Sequence, residues 1–290
     1  VTETGELPSV CVVVAAYNAE ATLAACLDSL AGLDYPRDRA ELVCVDNAST
    51  DTTARILAAY SGRVRACREP KRGPAAARNH GIALTRSDVV ALTDADCTVD
   101  PAWLRHLVAP LAAREVGVAG GRILSRRPCN WIEAFGERVH DHARALQEFS
   151  SPYCITMNWA ARREVLEAVG AFDPELLRAS DVDWSWRLGA AGYRFAYVPE
   201  AIVYHRNERT PWGLVYEGYT HAVNAVPLRA RHAGPLAAVR ERPGETPPRA
   251  QGASPRHWSD PVWWALFNFG KRLGRAHAAW RNRSGEARAE

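Results

Sequence analysis

Three strand-length apolar runs, each closing on a polar loop and each followed by residues at helical spacing, constrain this chain more than any other feature. Residues 9–16 read SVCVVVAA, 41–45 read ELVCV and 89–93 read VVALT. Each is too short for a globular helix and apolar without alternation, so each predicts a strand buried on both faces. Between them Leu23, Leu27 and Leu30 recur at helical spacing, the polar cluster 46–51 leads into a helix over 52–60, and residues 75–84 follow the breaker Gly73-Pro74 as another helix. Residues 64–67 suggest a short third strand. Strands alternating with helices in this way predict an α/β chain whose mostly parallel sheet is covered on both faces.

In such sheets ligands bind at the carboxyl ends of the strands. Tyr17, Asp46 and Asp94 each follow directly on a predicted strand, so the topology alone gathers them at one edge. Asp94 and Asp96 are two residues apart on extended backbone, which points both carboxylates to one side. Like charges so close need a cation or several donors to neutralise them, and a hard divalent ion bridging diphosphate oxygens would serve. The plainer reading is an acidic turn after a strand.

Further along, residues 101–111 predict a helix with Asp100 as cap and Pro101 at its first position, and 116–124 a strand bent at its glycines. Residues 130–149 are amphipathic. His140, Asp141 and His142 fall there on a solvated helix face, because histidines two apart on a helix diverge and make no metal pair. Residues 153–160 form a buried segment leading to a helix over 162–169 that Gly170 ends. Ser180 caps a helix over 181–190, on which Asp181, Trp184 and Leu188 share one face while Asp183 and Arg187 pair on another. Two short strands follow at 195–198 and 201–204, the second delivering His205. Residues 226–257 are rich in Pro, Arg and Gly and read as a linker or loosely packed extension. Residues 258–290 carry an amphipathic basic helix with Trp263, Trp264, Phe267 and Leu273 set against Lys271, Arg272, Arg275 and Arg281. Such a helix suits docking on the rest of the chain, self-association, or an anionic membrane surface.

With 290 residues and 47% hydrophobic composition there is ample core for one large domain with an extension. A net charge of +3 implies no general nucleic-acid affinity. Seven cysteines without a CxxC pair, several inside apolar runs (Cys11, Cys44, Cys154), read as buried thiols and favour a reducing, cytoplasmic setting. No run approaches the ~18 apolar residues of a membrane span, and the first residues lack a leader pattern, so membrane contact is expected only peripherally, at the inner face. Neither a Walker lysine loop nor a GxGxxG after the first strand is present.

Six motifs then stand in order: VVVAAYNAEATLAACLDSL, VDNASTDTT, RGPAAARNHGI, LTDADCTVDPAWL, MNWAARREVLEAVGAFDPEL and SDVDWSWRLGAAGYRFAYVPEAIVYH. Over roughly residues 9–206 their order and spacing resemble the family 2 glycosyltransferases of the GT-A fold. The resemblance implies a GT-A type, Rossmann-like mixed and mostly parallel sheet in residues 1–225, with a donor half over about 1–121 and an acceptor half over about 122–225. It implies transfer of a single sugar from a nucleoside-diphosphate sugar to an acceptor nucleophile, with inversion at the anomeric carbon. Carried over by position, Ala15, Tyr17, Asp46, Asn47, Arg78, Asp94, Ala95 and Asp96 would bind the donor. Tyr17 would stack on the base, Asp46 would bond to it, and Arg78 would lie near base or diphosphate. Asp94, Asp96 and, as in a subset of relatives, His205 would hold manganese or magnesium.

Asp181 matches the family's catalytic base. Ser180 stands where most relatives carry an acidic residue, which leaves Asp183 as a rival. Trp159, Asp183 and Trp184 are candidates for the acceptor side, although tryptophan is also a common core filler. The Gln-x-x-Arg-Trp motif of processive synthases is missing, in keeping with one sugar per cycle. The acceptor stays open among natural product, glycan, lipid-linked sugar and peptide. A catalytically silent nucleotide-sugar-binding scaffold is the alternative, and the carboxylates at Asp94, Asp96 and Asp181 argue against it. A sugar nucleotidyltransferase would need a Gly-rich, Arg-containing loop where this chain has Ala15-Ala16-Tyr17-Asn18.

Overall fold

The computed structural model describes residues 6–148, 151–232 and 257–284. Among them one mixed sheet of eight strands runs in the order β3-β2-β1-β4-β7-β6-β8-β5. The first four are parallel: β1 (Val10–Ala16), β2 (Ala40–Asp46), β3 (Arg65–Arg68) and β4 (Val89–Asp94). β7 (Trp159–Arg162) enters antiparallel to both β4 and β6 (Val116–Ser125), β8 (Arg194–His205) runs parallel to β6, and β5 (Cys97–Val99) closes the edge antiparallel to β8.

The continuous apolar character of β1 follows from burial on both sides. Val10, Val12 and Val14 pack in one core with Leu23, Leu27 and Leu30 of α1 (Leu23–Ala31). Cys11 and Val13 pack in the other with Ala75 and Ala77 of α3 (Pro74–Ala83). α3 lies so close to the sheet that a Cβ on Gly81 would come within 2.3 Å of Val13 Cγ1. Between them α2 (Thr53–Ala59) begins where Asp51 Oδ1 accepts the Thr53 N–H at 2.9 Å.

The remaining helices are α4 (Trp103–Val108), α5 (Trp131–Val139), α6 (His142–Gln147), α7 (Arg163–Val169), α8 (Ser180–Ala190), α9 (Pro211–Arg231) and α10 (Asp260–Ser284). Several sequence expectations are corrected here. The helix expected over 101–111 is α4 followed by a 3-10 turn, Ala109–Ala112. The amphipathic stretch from 130 is two helices, because Asp141 caps a new one by accepting the Arg144 N–H. Ser180 does not cap α8. It is the first helical residue, entered from Ala179 at a φ of +63°. The two short strands are one, β8, in which the ladder skips from Val198 to Ile202 around Pro199, a residue with no N–H to donate. α9 runs through the boundary expected at Val226. Most of the expected linker, residues 233–256, lies outside the described residues, as do residues 1–5.

Among the described residues no helix is long and apolar enough to cross a membrane. The cysteines are free thiols, as expected, with Cys11, Cys26, Cys44, Cys97 and Cys154 buried. α10 packs along α9 and reaches α5, so the last described helix docks on the domain.

Candidate active site

Parallel register sets Ala16 beside Asp46 and Ala15 beside Asp94, so the carboxyl ends of β2, β1 and β4 form one edge. Half-buried Ala15 and buried Ala95 flank Asp94 there. Tyr17 stands just past β1 and is 42% exposed, with the Arg72 guanidinium carbon 4.2 Å from its ring centroid. A cation over one face fixes the ring and leaves its position at the sheet edge open to a stacking partner. Asp46 is buried, and its Oδ1 accepts the Ser49 N–H at 2.9 Å, closing the turn after β2.

Asn47 differs from expectation. Its Oδ1 accepts the Gly73 N–H at 2.8 Å while its Nδ2 donates to the carbonyls of Glu69 at 3.2 Å and Lys71 at 2.7 Å. Its amide is thereby occupied in bracing the loop that starts α3, where Gly73 adopts a φ of +131°.

Arg78 projects from α3, is buried, and donates from Nη2 to Asp94 Oδ1 at 2.7 Å. Its Nε has no partner among the described residues. A buried, unpaired guanidinium donor beside a sheet edge is a feature that an anionic or carbonyl ligand satisfies. Asp94 and Asp96 have different partners. Asp94 ends β4 and turns to Arg78, whereas Asp96 lies in the turn to β5 and faces His205, so the strict two-residue alternation no longer applies.

The β5–β8 ladder pairs Cys97 with His205 and brings Asp96 Oδ2 to 3.4 Å from His205 Nε2. His205 Nδ1 donates to Asn207 Oδ1 at 2.6 Å, and Asn207 Nδ2 is committed to Ser125 Oγ at 2.8 Å and the Glu133 carbonyl at 3.2 Å. That network fixes the amide orientation and with it the ring orientation, leaving Nε2 toward Asp96. Burial depresses the imidazole, but Asp96, Asn207 and Asp94 outweigh it and raise its pKa to about 9. Asp96 is in turn lowered, since His205 overcomes the upward pull of burial. The field at this point favours positive charge. Cys97 completes a trio of ligand-type groups lying within 4.8 Å of one another. Its thiol is pushed well upward by burial and by both aspartates, and its Sγ donates to Asp96 Oδ1 at 3.6 Å, so it orients the carboxylate as a protonated thiol.

Asp181 occupies the first turn of α8, half-buried, with Oδ1 accepting the Val182 N–H at 2.9 Å. Burial raises its pKa, the Arg78 charge opposes that, and Asp94 adds to it. Arg78 of α3, Asp94 of β4 and Asp181 of α8 are therefore close enough to feel one another's charge.

Asp183 has other partners. Buried, its Oδ1 accepts from His232 Nε2 at 2.7 Å and its Oδ2 from Arg187 Nε at 2.9 Å. Arg187 continues to the carbonyls of Val169 and Ala171 at 2.6 and 2.7 Å. The expected surface ion pair is a buried strut tying α8 to the end of α9, which removes Asp183 as a rival base and as an acceptor contact. Trp159 and Trp184 are also corrected. Both are fully buried, 5.0 Å apart between ring centroids, and Trp184 Nε1 donates to the Gly170 carbonyl at 2.9 Å. They fill the core with Phe172 and Leu188. Sequence reasoning missed Asn207, Arg72 and His232, which matter through partners distant in the chain. The one signal for Asn207 was its place two residues after His205.

A mixed sheet with helices on both faces, a carboxylate-bearing edge and a closing helix is the architecture of the GT-A glycosyltransferases. The fold matches the mannosyltransferase PcManGT from Pyrobaculum calidifontis, in complex with GDP-Man and Mn2+, at a TM-score of 0.64 and 24% identity, covering 100% of this chain and 82% of that one. It matches S. aureus TarS 1-349 in complex with UDP at a TM-score of 0.57 and 17% identity, covering 96% and 92%. Residues 11–170 match the family described as Glycosyl transferase family 2, and the chain belongs to that family. It is 28% identical over 207 residues to the glycosyltransferase AglE of Haloferax volcanii, covering 70% of this chain and 68% of AglE. It is 32% identical over 170 residues to the pre-mycofactocin glycosyltransferase of Mycobacterium tuberculosis, covering 56% of this chain and 36% of that protein. The family and fold implied by the motif order are borne out.

Proposed function

We propose that the protein moves one sugar at a time from a nucleoside-diphosphate sugar to an acceptor hydroxyl or similar nucleophile, with inversion and with a divalent cation at the donor diphosphate. The observation that carries this is the Arg78–Asp94 ion pair, with Asp181 and the Asp96–His205 pair both within electrostatic reach of it. The donor ligands of the structural relatives, GDP-Man with Mn2+ and UDP-GlcNAc, support the class of donor and leave nucleotide and sugar open.

The residues present fit manganese or magnesium. Asp96 Oδ2 and His205 Nε2 are 3.4 Å apart, and adjacent ligands on an octahedral ion with bonds of ~2.1 Å lie about 3 Å apart. Carboxylate with one imidazole, and no thiolate, is a hard to borderline donor set. Bound there, the ion would supply Lewis-acid stabilisation of the leaving diphosphate.

The chain's own groups do the rest. Tyr17 offers its ring to the base, and the second oxygen of Asp46 accepts from it. Arg78 donates its free Nε to an oxygen of the donor while its Nη2 holds Asp94. Asp181 takes the acceptor's proton during in-line attack. Its raised pKa brings it nearer the operating pH, and general-base assistance is typically worth about 10² to 10⁴ in rate. A single displacement needs no second nucleophile, which gives inversion.

The test uses slow donor hydrolysis, with water standing in for the acceptor. Thermal shift against UDP- and GDP-sugars should show stabilisation that needs manganese and disappears with chelator. Asp181→Asn should keep that stabilisation and lose about 10² to 10⁴ in nucleotide release. Near-normal turnover in Asp181→Asn removes the residue from the role. Absence of any manganese-linked stabilisation removes the donor class.

A further inference from the structure

Behind the Asp96–His205 pair a second set of ligand-type groups converges where α5 meets α9. His140 ends α5, and Glu217 and His221 stand four residues apart on α9, which places them on one helical face. His140 Nε2 is 3.2 Å from Glu217 Oε1, and His221 Nε2 is 4.0 Å from the same oxygen. The three ligand atoms all lie within 4.8 Å of one another.

The orientation of His140 repeats that of His205. Asn207 Oδ1, fixed as an acceptor by the two bonds its Nδ2 donates, takes His205 Nδ1 at 2.6 Å and His140 Nδ1 at 3.2 Å. The two imidazole centroids are 5.0 Å apart. His140 Nε2 is thereby directed at a carboxylate oxygen of Glu217. A ring nitrogen and a carboxylate oxygen at that distance are bridged by a proton or by a cation. Burial alone would raise Glu217, but His140 and His221 hold it below the usual carboxylate range, so it is anionic. Burial pushes the His221 pKa down to about 4.

We propose that His140, Glu217 and His221 form a second cation site, for a borderline divalent ion of the zinc class, oriented through Asn207 by the same amide that orients His205. Two imidazoles and one carboxylate, with a fourth position left for water, is a donor set suited to zinc. Tetrahedral zinc with bonds of ~2.0–2.1 Å sets its ligand atoms about 3.3 Å apart, so His140 and Glu217, 3.2 Å apart, are already in place and His221, 4.0 Å from Glu217, needs to close in. The ion would pin α5 to α9 and, through Asn207, fix the His205 ring. The site differs in chemistry from the Asp96–His205 pair, which offers one imidazole and leaves the remaining positions to phosphate oxygens and water.

Calorimetric titration of the chelator-stripped full chain with Zn2+ tests this independently of sugar transfer. The wild type and Asp96→Asn should both bind one zinc equivalent that excess manganese does not displace. Glu217→Gln and His221→Gln, folded by circular dichroism, should each bind it about 100-fold or more weakly. X-ray absorption on the wild-type zinc form should show two imidazoles per ion, a readout that stands even where a variant fails to fold. Loss of the equivalent in Asp96→Asn with retention in His221→Gln, a single imidazole at the ion, or no stoichiometric zinc in the wild type overturns the proposal.

Discussion

His142 shows how one buried side chain can set the acid limit of the fold. Its Nδ1 donates to the Gly121 carbonyl at 2.9 Å and its Nε2 accepts the Ile155 N–H at 2.9 Å, so the ring bridges β6 to the segment before β7 as a neutral group. Burial lowers its pKa to about 3 from an ordinary 6.5. Below pH 6.5 the unfolded chain takes up a proton that the folded chain refuses until about pH 3. Stability therefore falls as pH falls through that window, by about 1.4 kcal/mol per pH unit from this residue. His142→Gln should cost stability at pH 7, where both bonds are lost or lengthened, yet flatten the slope between pH 6.5 and 4 in urea unfolding. An unchanged slope would assign the acid limit to other groups. The sequence placed His142 on a solvated face because a continuous helix was assumed. Once Asp141 caps α6, the ring turns inward.

At the scale of elements, the crossing of α9 and α10 depends on glycine. A Cβ on Gly270 would stand 1.9 Å from the Val215 carbonyl oxygen, one on Gly274 2.4 Å from that of Tyr219, and one on Gly218 2.1 Å from that of Phe267. These neighbours are backbone and cannot rotate away. Gly270→Ala should force the helices apart and cost about 1–3 kcal/mol, although alanine is the better helix former. Gly189→Ala in α8 is the control. Its Cβ would meet Phe195 Cε2 at 3.8 Å, so it should gain about 0.5–1 kcal/mol. Equal effects from the two, in denaturant unfolding, would remove the close crossing as the cause. The same glycines explain why α9 was not legible. Gly213 and Gly218 lower helical propensity in PWGLVYEGYTHAV, and only the position of α10 shows why Gly218 is there. The strands were legible for the opposite reason. β1, β2 and β4 are buried on both faces, so their residues are apolar without interruption and need no knowledge of partners. Of the site, Tyr17, Asp46, Arg78, Asp94, Asp96 and His205 could be placed from strand ends and motif order. Asn207, His232 and Glu217 could not, because each is defined by a group 25 or more positions away in the chain.

For the molecule as a whole, the last described helix is part of the domain's core. Ile132 and Phe135 of α5, Leu214 of α9 and Phe267 of α10 form a third apolar cluster, bordered by Trp263 and Trp264. Arg138 Nε pairs with Asp260 Oδ2 at 3.0 Å, both largely buried, at the start of α10. The amphipathic pattern was thus read correctly for Phe267, whereas Leu273 faces outward with Val262, Phe269 and Trp280. α5 also contributes the Glu133 carbonyl and, at its end, His140, both of which contact Asn207. Loosening this cluster should therefore reach the His205 ring and not only the melting temperature. Phe267→Ala should cost about 3–5 kcal/mol by leaving a cavity between three helices. In a domain of this size ~1 kcal/mol corresponds to about 2–4 °C, so the melting temperature should fall by roughly 6–20 °C. Because α5 holds Asn207 from behind, the manganese-linked part of the thermal shift with nucleotide sugar should shrink in the same variant. A full loss of melting temperature with the manganese-linked shift intact would separate the C-terminal packing from the cleft.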